Sequence, residues 1–160
     1  MNLSIVYAVA HTVYLIGGEG VAIFCGTDIV SVERIKNSIN ELGDTFLKRI
    51  YTDEEISYCE SRRMSKFQSY AARFAAKEAA YKALSPDTAE GVRWHDAEIV
   101  RKDNGKPVLV FHGRLEEIAN ERGLTASEFD VSLSHDDTFA IATIVIADAN
   151  LEIGTVPFSK

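Results

Sequence analysis

The run from Lys66 to Leu84 constrains this chain more than any other segment. Neither proline nor glycine interrupts it, and Pro86 follows as a stop. Placed on a helix at about 100° per residue, Phe67, Ala71, Phe74 and Tyr81 fall near one direction and form an aromatic core stripe. Ala72, Ala75, Ala76, Ala79 and Ala83 make a small-residue face suited to close packing, while Lys66, Arg73 and Lys77 line a flank. Glu78 is the misfit, about 20° from the direction of Phe67 and so within the apolar stripe. An ionised carboxylate in such a stripe is costly unless it is paired or bound to a cation. The plain reading is an i,i+4 pair with Lys82, worth about 0.2–0.5 kcal/mol. By periodicity alone that reading is the stronger one, and the angular position of Glu78 keeps a functional role open.

A chain of 160 residues, 46% hydrophobic and 26% charged, has the size and composition of one globular domain with one core. Its 24 acidic and 17 basic residues leave a net charge of −7, which disfavours a nucleic-acid binder. Two cysteines, Cys25 and Cys59, are too few for a disulfide framework and lack zinc spacing, so both read as buried hydrophobes of a cytoplasmic protein. No apolar run is long enough for a bilayer span. Residues 1–20 are apolar without a basic leader region and end in Gly17-Gly18-Glu19-Gly20, a poor cleavage site. We read them as an extension, residues 21–147 as one domain, and residues 148–160 as a C-terminal tail.

Along that domain, Val21 to Cys25 reads as a buried strand ending at Gly26. Ser31 caps a helix that runs to Leu42 and stops at Gly43. Thr52-Asp53-Glu54-Glu55 has capping-box spacing, so another helix starts near Asp53. Ala97–Val100 and Val108–Phe111 flank Asn104-Gly105, a hairpin signal. Leu115 to Arg122 is a short helix closed by Gly123. Phe129–Ser134 and Phe139–Ile146 alternate around Asp136-Asp137 and form the best-supported antiparallel pair. The fold class is therefore α+β, a single small domain with N-terminal helices packed on an antiparallel sheet.

Asp28 interrupts a run otherwise apolar from Val21 to Val32, and taken alone it reads as a turn or capping aspartate. Should Asp28 and Glu78 converge, two carboxylates would make a hard-cation site suited to Mg²⁺, completed by waters and substrate phosphate. His135 lies at a strand end beside Ser132 and Ser134. Asn104-Gly105-Lys106-Pro107 is first of all a turn. His11, His95 and His112 join no constellation.

Taken together these segments resemble a known family. Gly26-Thr27-Asp28-Ile29-Val30 followed by Val32-Glu33-Arg34-Ile35 resembles the opening motif of bacterial holo-acyl-carrier-protein synthases, members of the 4′-phosphopantetheinyl transferases. Arg73-Phe74-Ala75-Ala76-Lys77-Glu78-Ala79-Ala80-Tyr81-Lys82-Ala83 resembles their second motif, and Asn104–Pro107 and Ser132–His135 resemble two more in the same order. The resemblance covers about residues 21–147. It implies transfer of the 4′-phosphopantetheine arm from coenzyme A to a serine of apo-acyl carrier protein, in support of fatty acid biosynthesis, with adenosine 3′,5′-bisphosphate as by-product. It further implies magnesium dependence and a homotrimer with active sites between subunits. By position, Asp28 and Glu78 would be Mg²⁺ ligands, Lys82 would contact the reacting phosphate, and Arg73, Lys106 and His135 would hold the coenzyme A phosphates and adenosine. Arg34 would meet the acidic helix of the carrier protein. The base for the serine hydroxyl stays open between Glu78 and a metal-bound hydroxide.

Two other classes compete. A carrier-protein-binding module without catalysis is opposed by the intact Asp28, Glu78 and Lys82. A nucleotide- or nucleic-acid-binding domain would use a strip of Lys66, Arg73 and Lys77, against the net charge.

Overall fold

Ser31 ends one element and starts the next. Its extended backbone closes strand β1 (Ile23–Ser31), and its hydroxyl accepts a hydrogen bond from the Arg34 amide to cap helix α1 (Val32–Leu42). Gly43, at φ +54°, closes α1 through its N–H to the Ile39 carbonyl, and α2 (Asp44–Ile50) follows directly. Thr52 caps α3 (Asp53–Ser61) with both halves of the capping box in place: its hydroxyl accepts from the Glu55 amide, and the Glu55 carboxylate accepts from the Thr52 amide. A short 3₁₀ turn leads into α4 (Lys66–Leu84), whose bounds match those expected from its sequence pattern. Two hairpins then bracket a helix: β2 (Ala97–Arg101) with β3 (Pro107–Phe111), α5 (Gly113–Glu121), and β4 (Glu128–His135) with β5 (Phe139–Ala147). The computed structural model describes residues 23–84, 91–121, 124 and 128–147. The extension at residues 1–20, the tail at 148–160 and the expected helix stop at Gly123 lie outside them.

The strands form two antiparallel sheets, β1–β5–β4 and β2–β3. The N-terminal strand thus pairs with the C-terminal one, setting Gly26 opposite Ile144 and Asp28 opposite Ala142. Helices first and sheet afterwards describes most of the chain, but β1 belongs to the later sheet. The structure also corrects the end of the first strand. Gly26 does not stop it: the strand continues through Asp28 to Ser31, because each residue keeps a partner on β5. Asp28 is accordingly neither a turn nor a cap.

Helix α4 lies across the inner face of the larger sheet. Its alanines 72, 75, 76, 79 and 83 are at most 3% exposed, as are Ala140, Ala142, Ile144 and Ile146 of β5. Gly26 explains how closely they pack. A Cβ at that position would collide with the Ala79 carbonyl and stand 2.7 Å from the Ala83 nitrogen, so only glycine lets β1 meet the helix backbone. The outer face of the same sheet is open and partly apolar, with Ile29 60%, Phe139 48%, Ile141 40% and Val145 38% exposed beside the hydrogen-bonded Thr27 and Thr143 and the β4 residues Asp130, Ser132 and Ser134. Among the described residues, no helix is long and apolar enough to cross a membrane.

Candidate active site

Alternation along β1 turns Asp28 to the same side as Gly26, toward α4. The helix answers with Lys82, one turn beyond Glu78. The Lys82 ammonium is 2.8 Å from Asp28 Oδ1 and donates to the Thr27 carbonyl at 3.3 Å. Both side chains are largely shielded, at 7% and 15% exposure. Glu78 is half-buried beside them. Burial raises its carboxyl pKa above the ordinary carboxylate value and the Asp28 carboxylate raises it further, while Lys82 and Arg34 pull it down. The aspartate and the glutamate therefore do converge, and the lysine expected to pair with Glu78 is ion-paired with Asp28.

Two half-shielded carboxylates that resist sharing negative charge suit a small hard cation. Among the described residues no cluster of three or more acidic, histidine or cysteine side chains offers a complete protein cage. Magnesium does not need one, since it keeps several waters and takes substrate phosphate oxygens. The donor set fits.

A second cluster lies further back along α4. Arg73 is 2% exposed, its guanidinium 4.0 Å over the Tyr58 ring, with Arg101 at 4.9 Å and Arg62 at 5.7 Å from the same ring. These groups and His135 line a pocket of about 150 Å³. Arg73 donates to the Ser69 carbonyl at 3.3 Å, while its buried Nε has no hydrogen-bond partner among the described residues. None of the three arginines is paired with a carboxylate among the described residues, so the pocket concentrates positive charge and invites an anion. Arg73 and Glu78 stand five residues apart, about 7.5 Å along the axis and about 140° around it. The two clusters thus face different sides of α4 within one chain.

The remaining expected residues are dispersed. Lys106 is exposed on the β2–β3 turn, 3.0 Å from Asp130, and belongs to neither cluster. That turn is built as expected, with the Asn104 side chain accepting from the Lys106 amide and Gly105 at φ +82°. Arg34, on the first turn of α1, lines a cavity of about 330 Å³ with Ser38, Phe46, Arg49, Phe74 and Trp94. The basic strip of Lys66, Arg73 and Lys77 is not a surface. Arg73 and Lys77 are each 2% exposed, because α4 is enclosed on that flank by α3 and the β2–β3 hairpin. The nucleic-acid reading loses the strip it rested on.

Sequence reasoning missed Arg62 and Arg101, which lie outside any motif and reach the pocket only through tertiary folding. It also missed that Glu55, legible as a capping residue, forms a buried ion pair with Lys77 at 2.8 Å. Burial lowers the Lys77 pKa, against the pull of Glu55.

The model of one family, described as the 4′-phosphopantetheinyl transferase superfamily, matches residues 24–144. The chain belongs to that superfamily. The match runs from β1 into β5 and includes every residue of both clusters. A holo-[acyl-carrier-protein] synthase from Koribacter versatilis is 46% identical over 123 residues, 77% of this chain and 96% of that one. One from Solibacter usitatus is 42% identical over 121 residues, covering 76% and 94%. Among solved structures, the Helicobacter pylori holo-[acyl-carrier-protein] synthase in complex with coenzyme A is similar with a TM-score of 0.64 at 30% identity, covering 76% of this chain and 98% of that one. The Neisseria meningitidis synthase gives 0.67 at 30%, covering 77% and 96%. This transferase therefore has the fold of its relatives, and both charged clusters lie within the shared region.

Proposed function

We propose that the chain is a holo-[acyl-carrier-protein] synthase, transferring the 4′-phosphopantetheine arm of coenzyme A to a serine of apo-acyl carrier protein. The serine oxygen bonds to the phosphorus next to the pantetheine, the bond from that phosphorus to the nucleotide breaks, and adenosine 3′,5′-bisphosphate leaves as the serine loses its proton. The observation that carries this reading is the meeting of Asp28 on β1 with Glu78 and Lys82 on α4, inside the region matched by the family.

Asp28 and Glu78 would hold Mg²⁺, with water and substrate phosphate as its other ligands. Bound there, the ion would neutralise charge on the pyrophosphate. Lys82 presents a fixed ammonium to the charge that gathers on the departing nucleotide. Glu78 is the chain's own candidate to accept the serine proton. Arg73 and His135, joined by Arg62 and Arg101, would grip the coenzyme A phosphates. Lys106 would add to that grip once its exposed pair with Asp130 opens, a pair of the kind that contributes little. The cavity beside Arg34 offers the carrier protein two arginines, Arg34 and Arg49, around an apolar floor, which suits an acidic helix with a hydrophobic side chain.

The same reading makes the enzyme a homotrimer. Its support is the open, partly apolar sheet face that carries Ile29, Phe139, Ile141 and Val145, together with the division of the charged residues between two sides of α4. A neighbouring chain would bring its arginine pocket to the Asp28–Glu78 centre. Both cysteines are unpaired, which suits a reducing cytoplasm and the service of fatty acid biosynthesis there.

The test is a mass measurement on apo-acyl carrier protein incubated with the chain and coenzyme A. We expect a gain of one phosphopantetheine, lost when Mg²⁺ is chelated. An unchanged carrier mass with all components present would reject the function.

A further inference from the structure

Lys77 directly precedes Glu78 in the chain but points about 100° away from it around the helix, into the interior. Its ammonium has three partners: Glu55 Oε2 at 2.8 Å, the Trp94 carbonyl at 3.1 Å and the Ala97 carbonyl. The Glu55 carboxylate is as fully used. Oε2 also accepts from the Thr52 amide at 3.0 Å, and Oε1 accepts from the Ile99 amide at 3.0 Å. Both side chains are at most 1% exposed.

The backbone partners show what the pair replaces. The Asp96 carbonyl accepts from the His112 amide, on the side where β2 meets β3. Groups of Ala97 and Ile99 therefore face the opposite, unpaired edge of β2. On that edge Lys77 donates to one strand carbonyl and Glu55 accepts from one strand amide. A lysine and a glutamate from two helices stand in for a neighbouring strand, and they lock α3, α4 and β2 together at the turn of α4 that carries Glu78.

Buried ion pairs add little net stability relative to apolar packing, because desolvation offsets the attraction. What this one supplies is direction. Its hydrogen bonds leave α4 one rotation about its axis, and a helix rotation swings Glu78 relative to Asp28. We propose that Glu55 and Lys77 are positioning residues, which hold α4 in the rotation that aims Glu78 at Asp28. The kinetic part of this proposal rests on the transferase reading above.

Two variants of the full chain test it. Glu55→Asp keeps both charges but is one methylene too short to reach Ile99 and Lys77 together. Glu55→Gln with Lys77→Met keeps side-chain volume and removes both charges. In each, kcat per folded molecule should fall about 10- to 100-fold, the scale expected for an ångström of misplacement, and by a larger factor than KM for coenzyme A rises. Amide hydrogen exchange at residues 76–81 should accelerate at least about tenfold, while exchange in the β4–β5 hairpin stays as in the wild type. Activity that falls only in step with the unfolded fraction would overturn the proposal, as would unchanged exchange in α4. If the double variant does not fold, Glu55→Asp decides by the same criteria. A wild-type chain that fails to modify the carrier protein would reject the transferase reading instead, and the exchange measurement would still judge the positioning role.

Discussion

Glu78 owes its character to neighbours that sequence spacing does not reveal. Its helix places it among apolar residues, but the fold sets Asp28 and Lys82 beside it. Replacing the carboxylate with a neutral amide keeps its shape and removes the charge. Glu78→Gln should therefore lower kcat at least about 10²-fold, the cost of losing one preorganised electrostatic group, with little change in melting temperature. Full activity in that variant would remove Glu78 from the chemistry. Cys59 offers a contrasting test at this scale. Burial pushes its thiol up to about 12, against the opposing influence of Arg73. Only the thiolate reacts, so at pH 8 about one molecule in 10⁴ is reactive at this site. Iodoacetamide should modify Cys59 at least about 10³-fold more slowly in the folded chain than after unfolding, as peptide mass mapping can follow. The rate should rise with pH as the thiolate fraction grows.

At the scale of elements, the contact of β1 with α4 governs the site. Gly26 permits backbone-to-backbone packing, and that packing brings Asp28 within reach of Lys82. Gly26→Ala must push strand and helix apart, at a cost of about 1–3 kcal/mol of stability, the range for overpacking. Activity should fall further than the unfolded fraction explains, because the carboxylates separate; a thermal melt and an assay on the same sample would check this. The caps were plainly written in the sequence. Ser31, Gly43 and the Thr52–Glu55 box act through neighbours three or four residues away, so local pattern suffices to find them. The second role of Glu55 was not legible, since Lys77 and Ile99 lie far along the chain. For the same reason Asp28 looked like a turn residue: the strand that continues β1 past Gly26 is β5, more than a hundred residues later.

For the whole molecule, the open sheet face is the feature a single chain leaves unexplained. The trimer reading predicts that the wild type sediments with the mass of three chains. Ile29→Lys together with Ile141→Lys should yield single chains that stay folded but lose most transfer activity, because each site would lack its neighbour's arginine pocket. A monomeric, fully active wild type would contradict this. We also expect a chain beginning at Val21 to fold and retain full activity, since the matched region starts at residue 24; circular dichroism and the carrier-mass assay would show otherwise. What the sequence by itself determined was local: the long helix with its alanine face, the caps, both hairpins, and the motif order from which the family was legible. Helical periodicity, capping and turn chemistry act over a few residues, so they survive in a linear reading. Only the tertiary structure decided that Asp28 meets Glu78 and Lys82, that Arg62 and Arg101 join Arg73, and that Lys77 is an internal brace rather than a surface charge. Those outcomes depend on strand pairing and helix packing between residues distant in sequence, where burial and electrostatics are set by the whole fold.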